Sequence, residues 1–473
     1  MNDLPMRSAR ELSRLLQSRE ASAVEVLDAH LARIERFNPS LNAIVTLDAE
    51  GARRQAQAID ARRARGEALG PFAGLPIAIK DMDPVKGMRT TLGCTVYRDW
   101  VPDYDSLIVE RLRGHGLVIL GKTNTPELAM GAQTFNRVFG ATRNPWNLDR
   151  TCGGSSGGAA VSVAMHMLPF ADGTDLGGSL RNPGNFNHVF GLRPSPGRVP
   201  TFPSKNHWIA MSVLGPIART AADGAFLLAA MAGEDRRAPL SIAEDPARFL
   251  QPLARDFRGA RIAYSRTLGG LPVDRDVAEA IDAGVKHLEA LGCVVEEAEP
   301  DLAADADLAF DVLRALSLAE RYGELLAQHR GELKDTAVWN IERGLALTAQ
   351  EIIAGDLARS RAYDAMRAFL ERHDFLVAPV NQVPPFPIDQ PYVTEIDGRK
   401  MASYIEWMRS CTRITATAHP AASVPCGFTP AGLPVGLQIV GRHRDELGVL
   451  QLAHAFEQVN PDAGRAPPLA LQG

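Results

Sequence analysis

Apolar residues recur at helical spacing near the start of the chain. Leu12, Leu15 and Leu16 follow Ser8 and predict a first helix. Ser22-Ala23-Val24-Glu25 reads as a capping box, in which serine and glutamate satisfy each other's free backbone donors. Leu27, Leu31 and Ile34 then mark the buried face of a second helix. Residues 42–47 are strand-like and residues 52–65 form a polar helix. A short apolar run over 75–79 predicts a strand that stops at Lys80-Asp81. A helix over 106–113 leads into a buried strand over 117–120.

Residues 151–197 differ, being rich in Gly, Ser and Asn and broken by short helical or apolar runs. Such a stretch is not expected to build a core by itself; it predicts a site laid over one. Beyond residue 256 the alternation of strands and helices returns, with a strand over 261–265. Val277, Ile281, Val285, Leu288 and Leu291 make a helical stripe ended by Gly292, and a strand starts at Cys293. Residues 302–370 read as mostly helical, 375–380 as a strand, and 423–425 and 435–440 as the strands that close the sheet. No internal repeat or linker interrupts this pattern. It predicts one α/β domain over 1–473, a mixed sheet with helices on both faces, with a catalytic core at about 70–225 and a less diagnostic helical region at about 230–400.

Composition narrows the function classes. The 473 residues are 45% hydrophobic and 23% charged, with net charge -5. No run of Lys or Arg provides a nucleic-acid footprint; the Arg62-Arg63-Ala64-Arg65 group reads as a solvated helix end. Cys94, Cys152, Cys293, Cys411 and Cys426 are odd in number and widely spaced, which predicts a reduced, cytoplasmic protein without disulfides or a zinc site. No apolar run reaches the ~20 residues that span a bilayer, and no apolar signal core opens the chain.

Two motifs mislead. Gly116 to Thr123 matches the phosphate-loop pattern, but Leu-Val-Ile-Leu fills the positions where small residues must wrap a phosphate. Gly153-Gly154-Ser155-Ser156-Gly157 matches the nucleophile elbow of another hydrolase fold, but a loop precedes it instead of an apolar strand. His115 and His166 lie in apolar surroundings and read as structural.

Three segments, taken together, carry chemistry. They are Gly74-Leu75-Pro76-Ile77-Ala78-Ile79-Lys80-Asp81, then Gly153 to Gly158, then Asp172-Gly173-Thr174-Asp175-Leu176-Gly177-Gly178-Ser179-Leu180-Arg181. In this order, with 24 positions from Ser155 to Ser179, the chain resembles the amidase signature enzymes. The resemblance extends over most of the chain, to Gly432-Leu433-Pro434-Val435-Gly436-Leu437-Gln438. It implies hydrolysis of a carboxamide, aryl or alkyl, with ester cleavage as a variant. Ser179 would be the nucleophile, Ser155 the bridging serine on a cis bond from Gly154, and Lys80 the base. The backbone N–H groups of Leu176, Gly177, Gly178 and Ser179 would form an oxyanion hole. The implied chemistry is coherent. A serine needs a base, a desolvated lysine can be neutral, and a hydroxyl can relay a proton. Asp175 and Arg181 flank the nucleophile and are expected to pair and brace its loop.

Asn185, Asn187 and His188 stand where small residues are common in the family, and His419-Pro420 where a glycine-rich turn is common. Candidate lining residues for the acyl group are Met130, Gln133, Phe135, Asn136, Cys152, Trp208, Trp339 and Trp407. No base stands near Cys152 to make it a nucleophile. The resemblance implies a small-molecule amide as partner, no cofactor and no metal; a homodimer is common in such enzymes. Transamidating members act on charged tRNA with partner subunits. Trp407 and Met408 fall near where those members present an acidic group, which argues against that role. A non-catalytic protein on the same fold is opposed by the joint presence of Lys80, Ser155 and Ser179.

Overall fold

The computed structural model describes residues 3–472. Eight strands form the central sheet, in the order Val294–Glu297, Arg261–Tyr264, Phe375–Pro379, Pro434–Val440, Ala421–Phe428, Phe190–Arg193, Val213–Ala218 and Phe170–Asp175. The first three pair in parallel and the rest antiparallel. A separate three-stranded sheet holds Ile44–Leu47, Val118–Thr123 and Pro76–Lys80. The backbone N–H of Lys80 donates to Asp172 Oδ1 at 2.9 Å, which joins the small sheet to the edge strand Phe170–Asp175.

Local signals hold at the N-terminus. Ser22 Oγ accepts from the Glu25 N–H at 3.1 Å, and Glu25 returns the bond to the Ser22 N–H at 2.8 Å. This closes the capping box on the helix Ala23–Leu41. In Arg275–Ala290 the predicted stripe of Val277, Ile281, Val285 and Leu288 is buried. The region 302–370 resolves into three helices, Ala303–His329, Asp335–Leu345 and Ala349–Leu370. Among the described residues, no helix is long and apolar enough to cross a membrane.

Three expectations are corrected. Arg63 is buried, with Nη2 donating to Ala73 O at 3.1 Å, so the arginine group is not wholly a solvated face. A hairpin of Arg143–Asn144 and Asn147–Thr151 precedes Ser155, where the sequence predicts a loop. The largest difference concerns 151–197. This polar, glycine-rich stretch contributes the strands Phe170–Asp175 and Phe190–Arg193 and the helix Gly157–Ala164, all in the interior. From Thr151 to Ser195 only Thr174, Leu176, Gly177 and Ser179 keep partial exposure; every other residue is buried. Small residues achieve this because their own backbone hydrogen bonds, made to neighbouring strands and turns, replace water.

Candidate active site

Each candidate side chain arrives on a different element. Lys80 ends a strand that is buried along its whole length. Ser155 and Ser156 form the turn into the helix Gly157–Ala164, with the Gly154–Ser155 peptide bond cis. Thr174 comes from the sheet's edge strand. Lys80 Nζ lies 2.8 Å from Ser155 Oγ, 2.8 Å from Ser156 Oγ and 2.8 Å from Thr174 Oγ1. Ser156 also accepts from the Thr174 N–H at 3.3 Å, and its own N–H donates to Ser179 O at 3.2 Å. The three motif segments therefore meet around one buried amine. Among the described residues no hydrogen bond joins Ser179 Oγ to Ser155.

Burial pulls the Lys80 pKa down to about 7, against the opposing pull of Asp83, Asp172 and Asp175. The adjacent Asp172 moves the other way. Burial, with repulsion from Asp83, raises it to about 7 although it accepts the Lys80 N–H. The Lys80-Asp81 pair is no surface pair. Asp81 is buried and accepts from Thr91 N–H and Thr91 Oγ1. Lys122, the lysine of the phosphate-loop pattern, is buried too and donates to Asp83 O.

Asp175 organises the loop that carries Ser179. Its Oδ1 accepts from the Gly178 N–H at 2.8 Å and its Oδ2 from the Leu180 N–H at 3.2 Å. Arg181 grips both oxygens at 3.0 Å, and Arg193 reaches Oδ1 at 3.2 Å. Burial alone would raise this carboxyl's pKa; the two guanidinium groups override it and hold it far below the usual range. Arg181 in turn donates to Cys411 O, Gln438 Oε1 and Thr415 Oγ1. The bracing expected of Asp175 and Arg181 is thus tied to residues more than two hundred positions away.

One expected donor is engaged elsewhere. The Gly178 N–H is drawn to Asp175, so it cannot also point at an oxyanion; Leu176, Gly177 and Ser179 remain. Sequence reasoning does not single out Ser156, Thr174, Asp172 or Arg193. The first three sit inside the quoted motifs, which is a usable signal; Arg193 has no local signal.

The expected lining residues divide. Trp407 is 1% exposed, stacked on Phe186 and edge-on to Phe386 in a cluster with Phe310, Tyr404 and Met408, against which Leu176 packs. Phe310 abuts the loop of Ser179, since a Cβ on Gly177 would lie 2.9 Å from its Cζ. Met130 is buried in the adjoining cluster. Gln133 donates to Ile388 O, and Phe135 lies 5.8 Å beneath the Lys334 ammonium. Asn136 spends both ends on backbone and on Asn124, a structural role. Cys152 is fully buried and its pKa is pushed up to about 12 by burial, which suits an inert thiol. Trp208 is 72% exposed and Trp339 47% exposed, so neither forms a buried wall. The polar residues Asn187 and His188 act as stitches: Asn187 donates to Cys152 O and Pro183 O at 2.7 Å each, and His188 bonds Asp462 O.

Known proteins share this fold. A family model described as Amidase matches residues 25–450. An acylamidase of Rhodococcus erythropolis is 35% identical over 466 residues, 98% of either chain. The A subunit of a glutamyl-tRNA(Gln) amidotransferase from Acidothermus cellulolyticus is 37% identical, covering 93% of this chain and 92% of its own. The crystal structure of a bacterial aryl acylamidase belonging to the amidase signature family superposes with a TM-score of 0.90. It is 31% identical and covers 97% of this chain and 99% of its own. Fold and sequence together define an amide hydrolase. The chain belongs to the amidase family.

Proposed function

We propose that the protein hydrolyses an aryl or alkyl carboxamide through an acyl-enzyme on Ser179. The observation that carries this reading is the buried Lys80 amine held among three hydroxyls. A neutral amine donates two protons and accepts one. Ser156 directs its own proton toward Thr174 O, so it takes one of the Lys80 protons. Thr174 takes the second, and Ser155 is left to donate into the lone pair. As Ser179 Oγ attacks the carbonyl, its proton passes to Ser155 and the Ser155 proton to Lys80. The carbonyl oxygen gathers charge and is met by N–H groups of Leu176, Gly177 and Ser179. Collapse breaks the C–N bond, and the amine leaves with the proton returned from Lys80 through Ser155. Water then repeats the sequence, freeing the acid and Ser179. Ser179 and Ser155 close their hydrogen bond when substrate is bound, as catalytic contacts commonly do.

The apolar cluster around Trp407 and Phe310, next to the nucleophile loop, supports an apolar group beside the scissile bond. The similarity to an acylamidase and an aryl acylamidase supports an acyl amide as the substrate. All five cysteines are free and buried, which supports a reduced, cytoplasmic setting. Net charge -5 supports a small-molecule substrate over nucleic acid. A second reading, the A-type chain of a tRNA-dependent amidotransferase, is favoured by the 37% identity to such a protein. The buried, apolar surroundings of Trp407 oppose it. Amide hydrolysis by the isolated chain, without tRNA or partner chains, decides between them.

The experiment is mass spectrometry after treatment with a fluorophosphonate probe. The expected adduct sits on Ser179 and is absent from Ser179→Ala; an adduct on Ser155, or none, overturns the assignment. A companion test concerns Gly178, which has φ +110° and whose added Cβ would lie 2.7 Å from Cys411 Cβ. Gly178→Ala must shift the loop and is expected to lower kcat by on the order of 10²-fold, the cost of misplacing an oxyanion donor. A steady-state kcat within about threefold of wild type would show that the loop does not position those donors.

A further inference from the structure

The helix Ala303–His329 carries a buried cation, Arg314, whose guanidinium lies 5.6 Å from the Tyr404 ring centroid. Arg314 is 6% exposed. Its guanidinium donates to Asn340 Oδ1 and to the Tyr404 hydroxyl, both neutral. Among the described residues no carboxylate pairs with it. A buried cation without a counter-ion is costly, and a bound anion would relieve that cost.

A second cation stands in the same corner. Lys334 Nζ donates to Met130 O and lies 5.8 Å over the Phe135 ring. Burial lowers its pKa to about 8, and Arg314 adds to that lowering. Glu127 opposes the charge on Lys334, but it is already bonded to the Lys334 N–H and to Arg137.

The corner adjoins the nucleophile loop. Arg314 lies four residues beyond Phe310, so the two share a helix face about 6 Å apart. Phe310 is the ring that would meet a Cβ on Gly177. Tyr404, the Arg314 partner, belongs to the same apolar cluster as Phe310 and Trp407. A substrate acyl group on Ser179 would face this cluster, with Arg314 one helical turn beyond Phe310.

We infer that Arg314, with Lys334 beside it, binds a carboxylate at the far end of the substrate's acyl chain, so that the preferred substrates are monoamides of dicarboxylic acids. The apolar cluster holds the methylenes, and the guanidinium offers paired donors that fit a carboxylate. The inference rests on the amidase reading above and names its substrate class.

The test compares the mono-p-nitroanilides of adipic and suberic acid with the chain-matched hexanoyl and octanoyl p-nitroanilides. Wild type is expected to favour the acids in kcat/KM by on the order of 10- to 100-fold, the worth of a hydrogen-bonded charge pair. Arg314→Gln, which keeps donors for Tyr404, is expected to erase most of that ratio. Lys334→Gln is expected to reduce it by a smaller factor and serves if the first variant does not fold. A wild-type ratio near or below one, or a ratio that survives the substitutions, overturns the inference. A titration of tryptophan fluorescence separates it from the amidase reading, since Trp339 stands edge-on to Tyr404 at 6.0 Å. Tighter binding of adipamic acid than of hexanamide, lost in Arg314→Gln, upholds the carboxylate site even if neither anilide is cleaved. Equal binding of the two overturns it.

Discussion

Lys80→Met is expected to lower kcat by on the order of 10⁴-fold while leaving the protein folded. Methionine is close to lysine in length and suits the buried end of the strand, but it has no lone pair basic enough to receive a proton. Ser155 then has nowhere to pass the proton from Ser179, and the nucleophile stays a hydroxyl. The pH profile provides the sharper check. Burial places the Lys80 pKa near 7, below the ordinary lysine value, so the amine is mostly charged and idle below pH 7 and mostly neutral above it. Wild-type kcat/KM should therefore rise with pH through about 7 and level off on the alkaline side. Residual Lys80→Met activity should lose that step. Asp172 is drawn to about 7 as well and touches the Lys80 backbone, so the apparent value belongs to the pair. Asp172→Asn should move the midpoint without abolishing the step. A flat wild-type profile from pH 6 to 9, or Lys80→Met retaining a tenth of wild-type kcat, would remove Lys80 from the mechanism.

Asp175→Ala is expected to cost about 3–5 kcal/mol of stability, read from urea unfolding with unchanged slope. The carboxylate sits between Arg181 and Arg193, all three fully buried, and the substitution strands two guanidinium groups without a counter-charge. It also frees the Gly178 and Leu180 N–H groups that hold the loop of Ser179. Activity should fall with stability, because the loop loses its anchor. The acid limb carries the same signature. The carboxyl is held far below its unfolded value, so its stabilisation is complete at neutral pH and fades only as pH falls below about 4. A loss under about 1 kcal/mol would mean that water or backbone relaxation replaces the pair, and that the brace is not structural.

Much of this site is legible without any fold, because its chemistry is local. Lys80 ends an apolar strand, Ser155 lies in a glycine-serine turn, and Ser179 follows two glycines; each residue type and each spacing is visible in the chain. The flanking positions of Asp175 and Arg181 predict that they pair, and they do. Thr174 and Ser156 lie within the same motifs, yet their part in the Lys80 cage depends on two elements packing to 2.8 Å. Arg193 has no such signal: it sits eighteen residues past Asp175, in a strand whose neighbours bring it back. The helical region about 230–400 reads as least diagnostic, but Phe310 from it abuts the loop of Ser179, and Arg314 reaches Tyr404 in the same apolar cluster.

The sequence by itself determined the helices and strands outside the polar stretch, the capping of the first long helix, and which three side chains are proposed to react. These follow from periodicity, hydrogen-bonding side chains close in the chain, and motif spacing, all short-range properties. Tertiary structure decided what lies inside. The polar stretch 151–197 reads as a site laid over a core because polarity along the chain usually means water, yet strands on both sides satisfy its backbone and bury most of it. That burial is what lowers the Lys80 pKa, turns the Gly178 N–H toward Asp175, and leaves Thr174, Leu176, Gly177 and Ser179 as the opening to solvent. Desolvation depends on what surrounds a group from all directions, and no window along the chain contains that information.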